Sequence, residues 1–472
     1  MLPFFRFNRD LSRGALALAL LATAGAVTHS PALAAAKDKK AQAAPAAAKV
    51  VYSKPFIAAA APLEKALDAA KKRADVIAAQ QNVTTATNAL NAAQGAARTA
   101  AQTQRDAAIA ALGATLTAEK AMLETSYAAV LGADDKFKIG NMALNLGGLA
   151  MDTKIQRRGL ETMLESGKTN PSDVPRLNFF LGQFAFDVKD YAKARASLQA
   201  AIDGGFTTND AAVLLAETYL ADNQFVIGLD KLKSAIDARG AAGTPAPENW
   251  FRRGLSIAYR NKMMDKAAVF SSGLVQAYPT KDNWAGAISV VRLVGKYELQ
   301  DRLDLMRLMQ RTHSFTEGTD YAEFIQAADP RRLPAEVLSV LDEGLKAGKL
   351  EAGDMFVTDA KMSAAARIKE DQPSLPTLEK TAMAPTATGN SIGATADALL
   401  SYSMPVKAES LYRLALQKGG VDVQRINTRL AIALFDQGKF ADAKAVFDQI
   451  TGIRQPIAQL WSIHIAQKAN GG

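Results

Sequence analysis

The chain has 472 residues, 49% of them hydrophobic, and 56 Lys and Arg against 47 Asp and Glu give a formal charge of +9. It contains no Cys and only three His, which excludes disulfides and attachment of a lipid through Cys, and argues against a Cys- or His-built metal site. The first stretch has the layout of an export signal: Arg6, Arg9 and Arg13 lead an apolar run from Gly14 to Val27, and Ala32-Leu33-Ala34 is an A-x-A cleavage site. That run is shorter than the ~20 residues a membrane span needs. No Arg-Arg pair marks a twin-arginine leader. The expectation is cleavage after Ala34 and a periplasmic or secreted chain with no transmembrane segment.

Residues 1–34 hold three Arg and one Asp, so the chain from Ala35 onward keeps a charge of +7. Its basic residues are dispersed, and an exported chain rarely meets nucleic acid, so no nucleic-acid partner is expected. Acidic envelope surfaces and envelope glycans are the partners such a charge admits. Residues 35–55 are too polar and small to bury a core and read as a tether. Residues 56–135 are Ala-rich and nearly free of helix breakers. Leu63, Leu67, Ala70, Ala74 and Ile77 lie at helical spacing, as do Leu116, Leu123, Tyr127, Val130 and Leu131. Two or three long helices are expected here, a coiled hairpin being one arrangement of them, with partial disorder around Gly95 as the alternative.

From residue 136 the chain repeats. Gly182, Ala194 and Ala201 recur as Ala216, Gly228 and Ala235, three intervals of 34 residues. A fixed period of that size with small residues at fixed places marks stacked helical hairpins, because antiparallel helices approach closely only where side chains are small. The first of these hairpins is predicted over 177–186 and 191–202. Gly147 with Gly159 precedes it; Leu255 with Ala267, Ala396 with Ala408 and Ala431 with Ala443 follow. Leu255 stands where a small residue is expected, which predicts a splayed hairpin. Trp284 to Arg311 is predicted as a further hairpin, 314–370 as helices out of register, and the Pro- and Gly-rich stretch 371–393 as a loop. Residues 394–472 resume the repeats and end in a helix from Pro456 to Lys468 that covers the last apolar face.

Leu181-Gly182, the aromatic Tyr219 three residues past Ala216, and Ala443-x3-Phe447 resemble the tetratricopeptide repeat (TPR) pattern. The resemblance is carried by the hairpins at Gly147, Gly182, Ala216 and Ala431, extends to Leu255 and Ala396, and fades over 281–390. It implies an all-α, right-handed solenoid of helical hairpins preceded by long Ala-rich helices. In TPR proteins the first helix of each hairpin lines a concave groove that holds peptide segments. The groove positions here are Phe179, Gln183, Phe186 and Asp190, spaced i, i+4, i+7, i+11, with Arg176 within reach. Arg252, Ser256, Tyr259 and Arg260 form the corresponding side of a later helix. Arg with aromatics is the composition of binding hot spots.

Strings that resemble catalytic motifs lack their context. Gly389-Asn390-Ser391-Ile392-Gly393 fits G-x-S-x-G, and Asp436, Asp442 or Asp448 and His464 follow in hydrolase order, but no strand precedes it. Asn390 or Ser391 reads more simply as the cap of the next helix. Gly167-Lys168-Thr169 lacks the upstream Gly of a phosphate loop, since residue 162 is Thr. Asp134-Asp135 precede an apolar helix and read as its cap. His464, beside Trp461 and Ile463, reads as structural. The sequence thus points to a non-enzymatic, exported scaffold that uses no cofactor and binds protein or peptide segments, acidic ones included. A helical-repeat component of envelope polysaccharide synthesis or export, and an envelope hydrolase, are the alternatives.

Overall fold

The computed structural model describes residues 50–471 of the protein, so the expected leader and cleavage site lie outside the described residues. Every element among them is helical. The chain divides into two compact units, one up to Ala235 and one from Ile236.

The first unit opens with α1 (Lys54–Ala70), α2 (Ala74–Ala92), α3 (Gly95–Thr115) and α4 (Thr117–Ala128). Four helices therefore stand where two or three were predicted, and α2 with α3 is the coiled hairpin. Its seam on α2 is Val76, Val83 and Leu90, seven residues apart, and Ala101 and Leu112 are buried on α3. Gly95 turns the hairpin with φ +54°, a conformation that Gly adopts without a Cβ penalty. The breaks at either end meet at Arg73. Its guanidinium donates to Asp75 at 2.7 Å, Glu119 at 2.8 Å and the Thr115 carbonyl at 2.6 Å.

Hairpins follow: α5 (Ala133–Leu149) with α6 (Thr153–Glu165), α7 (Val174–Asp187) with α8 (Tyr191–Asp203), then α9 (Ala211–Ala221) and α10 (Phe225–Ala241). The small residues sit at the helix crossings. A Cβ on Gly182 would come within 2.6 Å of Leu198, one on Gly147 within 2.6 Å of Gln156, and one on Gly159 within 2.7 Å of the Gly140 carbonyl. The turns inside hairpins share one device. Met151, Lys189 and Asn223 take positive φ, and the next residue's N–H reaches back five residues: Asp152 to Gly147, Asp190 to Ala185, Gln224 to Tyr219, at 2.8–2.9 Å. This closure satisfies carbonyls that a helix end leaves open.

The second unit contains α11 (Glu248–Arg260), α12 (Met264–Ala277), α13 (Lys281–Val294), α14 (Leu299–Arg311), α15 (Gly318–Ala328) and α16 (Pro334–Lys346). It continues through α17 (Met355–Ala382), α18 (Gly389–Ser401), α19 (Pro405–Lys418), α20 (Val423–Asp436), α21 (Phe440–Phe447) and α22 (Gln455–Ala469). Three expectations are corrected here. The small residue of the α11–α12 crossing is Gly254, one place before Leu255: a Cβ there would lie 2.3 Å from the Phe270 ring, so the hairpin is closely packed. The predicted hairpin from Trp284 to Arg311 is weakly paired, and α14 packs more against α15.

The third correction concerns the predicted loop 371–393. Residues 371–382 continue α17, and α18 begins at Gly389. Pro373 and Pro376 lie inside α17 on its exposed side, where Lys369 and Gln372, four residues earlier, are exposed too. Solvent can thus take over the carbonyls that each Pro leaves without a donor. Buried Leu375 and Ala382, and Asp371 accepting from the Tyr402 hydroxyl at 3.0 Å, hold the other side in place.

Stacked hairpins ordinarily touch only their neighbours, and this unit departs from that. The terminal helix α22 returns to pack on α12, α13 and α14. Gln467 donates to the Val275 carbonyl at 2.8 Å, and the Trp461 indole donates to the Asp304 carbonyl at 3.1 Å. The unit is closed by contacts that span more than 150 residues of sequence.

Candidate functional site

The two groups of predicted groove residues fall in different units. In the first, Phe179 is 4% exposed, stacked on Phe206 at 4.7 Å and edge-on to Phe180 at 5.4 Å. A partner cannot reach this ring without displacing Phe206, so Phe179 is a packing residue. Gln183 is half-buried and engaged rather than exposed. Phe186 lies against Tyr191 at 5.9 Å. Asp190 caps α8, accepting the Lys193 N–H at 3.2 Å, and takes the Arg157 guanidinium at 2.7 Å. Arg176 pairs with Asp173 at 3.0 Å. The spacing i, i+4, i+7, i+11 is real, but this side of α7 serves mostly the packing of its own unit.

On α11 the outcome differs. Its inner side buries Trp250, Phe251, Ile257 and Ala258, which turns Tyr259 and Arg260 outward at its last turn. Tyr259 is 48% exposed, and Arg260 is exposed with Nε donating to the Ser256 carbonyl at 3.2 Å. Two turns earlier, Arg252 is half-buried. Its guanidinium donates to Glu248 at 2.6 Å and to the buried Asn283 side chain at 2.8 Å. Asn283 is fixed in turn by donating to the Tyr278 carbonyl at 2.8 Å. The Arg252 hydrogen bond, ahead of the opposing effect of burial, holds the Glu248 carboxyl below its ordinary pKa. Arg252 is therefore an oriented cation already sharing a carboxylate, and Arg260 carries the more open positive charge.

The catalytic-looking string has a structural account. Thr388, not Asn390 or Ser391, is the N-cap of α18, with its Oγ1 accepting the Ser391 N–H at 3.2 Å. Ser391 Oγ donates to the Thr388 carbonyl at 2.9 Å and accepts the Thr388 N–H at 3.1 Å, a reciprocal capping box. Gly389 is demanded by close approach, since a Cβ there would lie 2.1 Å from the Gly419 carbonyl. A long helix, not a strand, precedes the string. Among the described residues, no group of three or more His, Asp or Glu is placed to hold a metal.

Sequence reasoning missed the buried charge cluster of the second unit. Asp304 and Arg307 on α14 are fully buried, and Arg429 on α20 and Arg454 before α22 nearly so. Asp304 accepts from Arg307 at 3.0 Å and from Arg454 at 2.7 Å; Arg307 also pairs with Glu336 at 2.7 Å. Arg429 binds Asp397, Arg454 binds Asp301, and the Tyr412 hydroxyl donates to Asp397 at 2.7 Å. Burial pushes the Asp304 carboxyl up, but attraction to Arg429, Arg454 and Arg307 outweighs it and keeps the pKa below the ordinary value. Burial and then Asp397 raise the Tyr412 hydroxyl well above its usual range. The available signal was Arg429, which leads directly into the apolar run Leu430-Ala-Ile-Ala-Leu434.

His464 is buried on α22 among Phe435 at 5.1 Å, Trp284 at 5.6 Å and Trp461 at 6.3 Å, and its Nε2 has no hydrogen-bond partner. Burial first, then the charges of Lys468 and Arg311, lower its pKa to about 4. The unfolded imidazole titrates near ~6.5. The neutral form is thus favoured in the fold, and its contribution is complete above that pH and lost as the pH falls toward the folded value. Urea titrations should show the His464→Phe variant losing less stability than the parent between those two pH values, by on the order of 2–3 kcal/mol. Parallel curves would place the imidazole in contact with water.

No protein-family model matches the chain, and no curated protein matches it. Among solved structures it is similar to a tetratricopeptide repeat protein from Parabacteroides merdae, at 11% identity and TM-score 0.22 over 62% of this chain and 98% of that one. It is similar also to the TPR2AB domain of yeast Sti1 in its pHSP90 complex (12% identity, TM-score 0.21, 63% and 95% covered). The TPR domain of P58(IPK) matches at 11% identity and TM-score 0.21, covering 72% and 99%. The chain's own geometry, helical hairpins crossing at Gly147, Gly182 and Gly254, defines the class: an all-α, TPR-like helical-repeat protein.

Proposed function

We propose that the protein is a non-enzymatic scaffold, exported to the cell envelope, that binds protein partners through the exposed side of α11. The observation that carries this reading is the Arg252–Tyr259–Arg260 surface. An aromatic ring and an open guanidinium stand beside an arginine pre-oriented by Glu248 and Asn283. Such a surface suits an acidic or carboxylate-bearing segment, because guanidinium groups pair with carboxylates by paired hydrogen bonds and little ordering remains to be done. The export signal read from residues 1–34 supports the compartment.

The test is affinity for the envelope-extract protein that the purified chain retains. Changing Arg252 and Arg260 to Ala should weaken that binding on the order of tenfold or more, with the helical spectrum unchanged. Salt should weaken the parent complex and affect the double variant less. Because Arg252 also supports Asn283, a second pair, Tyr259→Ala with Arg260→Ala, removes only exposed side chains and should act in the same direction. Lys71→Ala with Lys72→Ala should leave affinity intact. Unchanged affinity in both α11 variants would move the partner elsewhere.

A further inference from the structure

The terminal helix α22 turns Ile457, Leu460, Trp461 and His464 into the second unit and closes it. That placement leaves Gln455, Gln459 and Ser462, spaced i, i+4, i+7, along one flank of the same helix. Beside this flank α21 ends at Phe447 after only 8 residues, whereas α12 and α22 run for 14 and 15. The gap beyond the short helix is a cleft of about 420 Å³ between α12 and α22. That volume lies within the roughly 300–1,000 Å³ of sites that hold small ligands. Its floor is apolar: Phe447, Ile450 and Ala458 are buried and Ile463 is half-buried.

The polar groups of the cleft are mostly uncharged and unengaged. Gln455, Gln459 and Ser462 line it together with Ser272 of α12, and among the described residues none of these four side chains has a hydrogen-bond partner within the protein. A helical serine can turn its hydroxyl back onto its own helix. The adjoining Ser271 does so, onto the Ala268 carbonyl at 3.1 Å, and Ser272 does not. The one charged residue in the lining, Asp448, is taken up by Lys444 at 2.7 Å. The cleft thus offers donors and acceptors together over an aliphatic floor, with its charge already paired.

We propose that this cleft binds an uncharged peptide segment, with one aliphatic side chain on the floor and the flanking backbone amides hydrogen-bonded by Gln455, Gln459, Ser272 and Ser462. A peptide group presents one donor and one acceptor, and a carboxamide or a hydroxyl answers both. Other ligand classes match less well. A phosphate or carboxylate finds no cation in the lining, since Lys444 is committed to Asp448. A sugar ring lacks an open aromatic face to stack on: Phe447 is 1% exposed and lies flat against Trp461, with 5.7 Å between centroids and 12° between planes. A purely apolar ligand would strip water from the polar side chains and return no hydrogen bond. The cleft shares no residue with the α11 surface and prefers a neutral segment where that surface prefers an acidic one, so either reading can fail without the other.

The experiment is a titration of the full chain, labelled at its isoleucine δ1 methyl groups, with N-acetyl-leucinamide, a neutral aliphatic residue with an amide on each side. The Ile450 and Ile463 signals, assigned through Ile450→Val and Ile463→Val, should shift and saturate at the millimolar affinity expected of so small a ligand. Ile139, buried in the first unit, should stay in place. Gln459→Ala with Ser462→Ala removes two partners of the backbone amides without touching a fully buried side chain. It should weaken binding on the order of tenfold at an unchanged melting temperature. The α-amide of N-acetyl-glutamate, whose side chain is charged, should bind on the order of tenfold more weakly than the leucine probe. Three results would overturn the proposal: no shift of either methyl, equal affinity in parent and variant, or N-acetylglucosamine binding the cleft as tightly as N-acetyl-leucinamide.

Discussion

Replacing Asp304 with Leu is expected to destabilise the unit from Ile236 onward by about 3–5 kcal/mol, the usual cost of leaving buried charge uncompensated. Asp304 accepts from Arg307 on α14 and from Arg454 in the turn before α22, and pairs by charge with Arg429 on α20 at 3.5 Å. Without it, three buried guanidinium groups face one another around one lost carboxylate. The loss should be global within the unit, because this cluster joins α14 to α20 and α22 across the closure. All three Trp residues (Trp250, Trp284 and Trp461) belong to that unit, so fluorescence reports it alone while circular dichroism reports both units. In urea the fluorescence transition should move to lower denaturant as a single step, leaving a later circular-dichroism step in place. A loss below about 1 kcal/mol, the worth of an exposed pair, would mean that the cluster is solvated.

Gly182→Leu tests the hairpin frame in the other unit. The new side chain must occupy the space of Leu198, and overpacking of that kind costs about 1–3 kcal/mol. Circular dichroism should register the shift while Trp fluorescence does not. The control is the exposed Ala192 on α8, where Leu should change stability by about 0.5 kcal/mol or less. Equal losses at Gly182 and Ala192 would contradict the assigned crossing.

Much of the fold was legible because close packing writes a periodic pattern. Gly182, Gly147 and Gly159 were recognisable as crossings from spacing alone, and α7 and α8 fall within three residues of their predicted ends. Local signals failed where distant packing overrode them. Pro373 and Pro376 read as loop, yet Leu375 and Asp371 keep their stretch helical against the following hairpin. The return of α22 to Val275 and Asp304 left no trace in the repeat period, because contacts across such separations have no fixed interval. At the candidate site, helical spacing put residues on a side but could not say which way that side faced. Phe179 and Tyr259 carry the same sequence signal, and burial separates them.

The central claim is that the side of α11 bearing Arg252, Tyr259 and Arg260 meets a protein partner in the envelope. A photo-crosslinking amino acid placed at Tyr259, in the chain made by its own cell, tests it most directly. The account predicts a discrete protein adduct at that position, lost when Arg252 and Arg260 are Ala and absent when the probe stands at Lys71. No adduct at Tyr259, or one indifferent to the loss of both arginines, would contradict it.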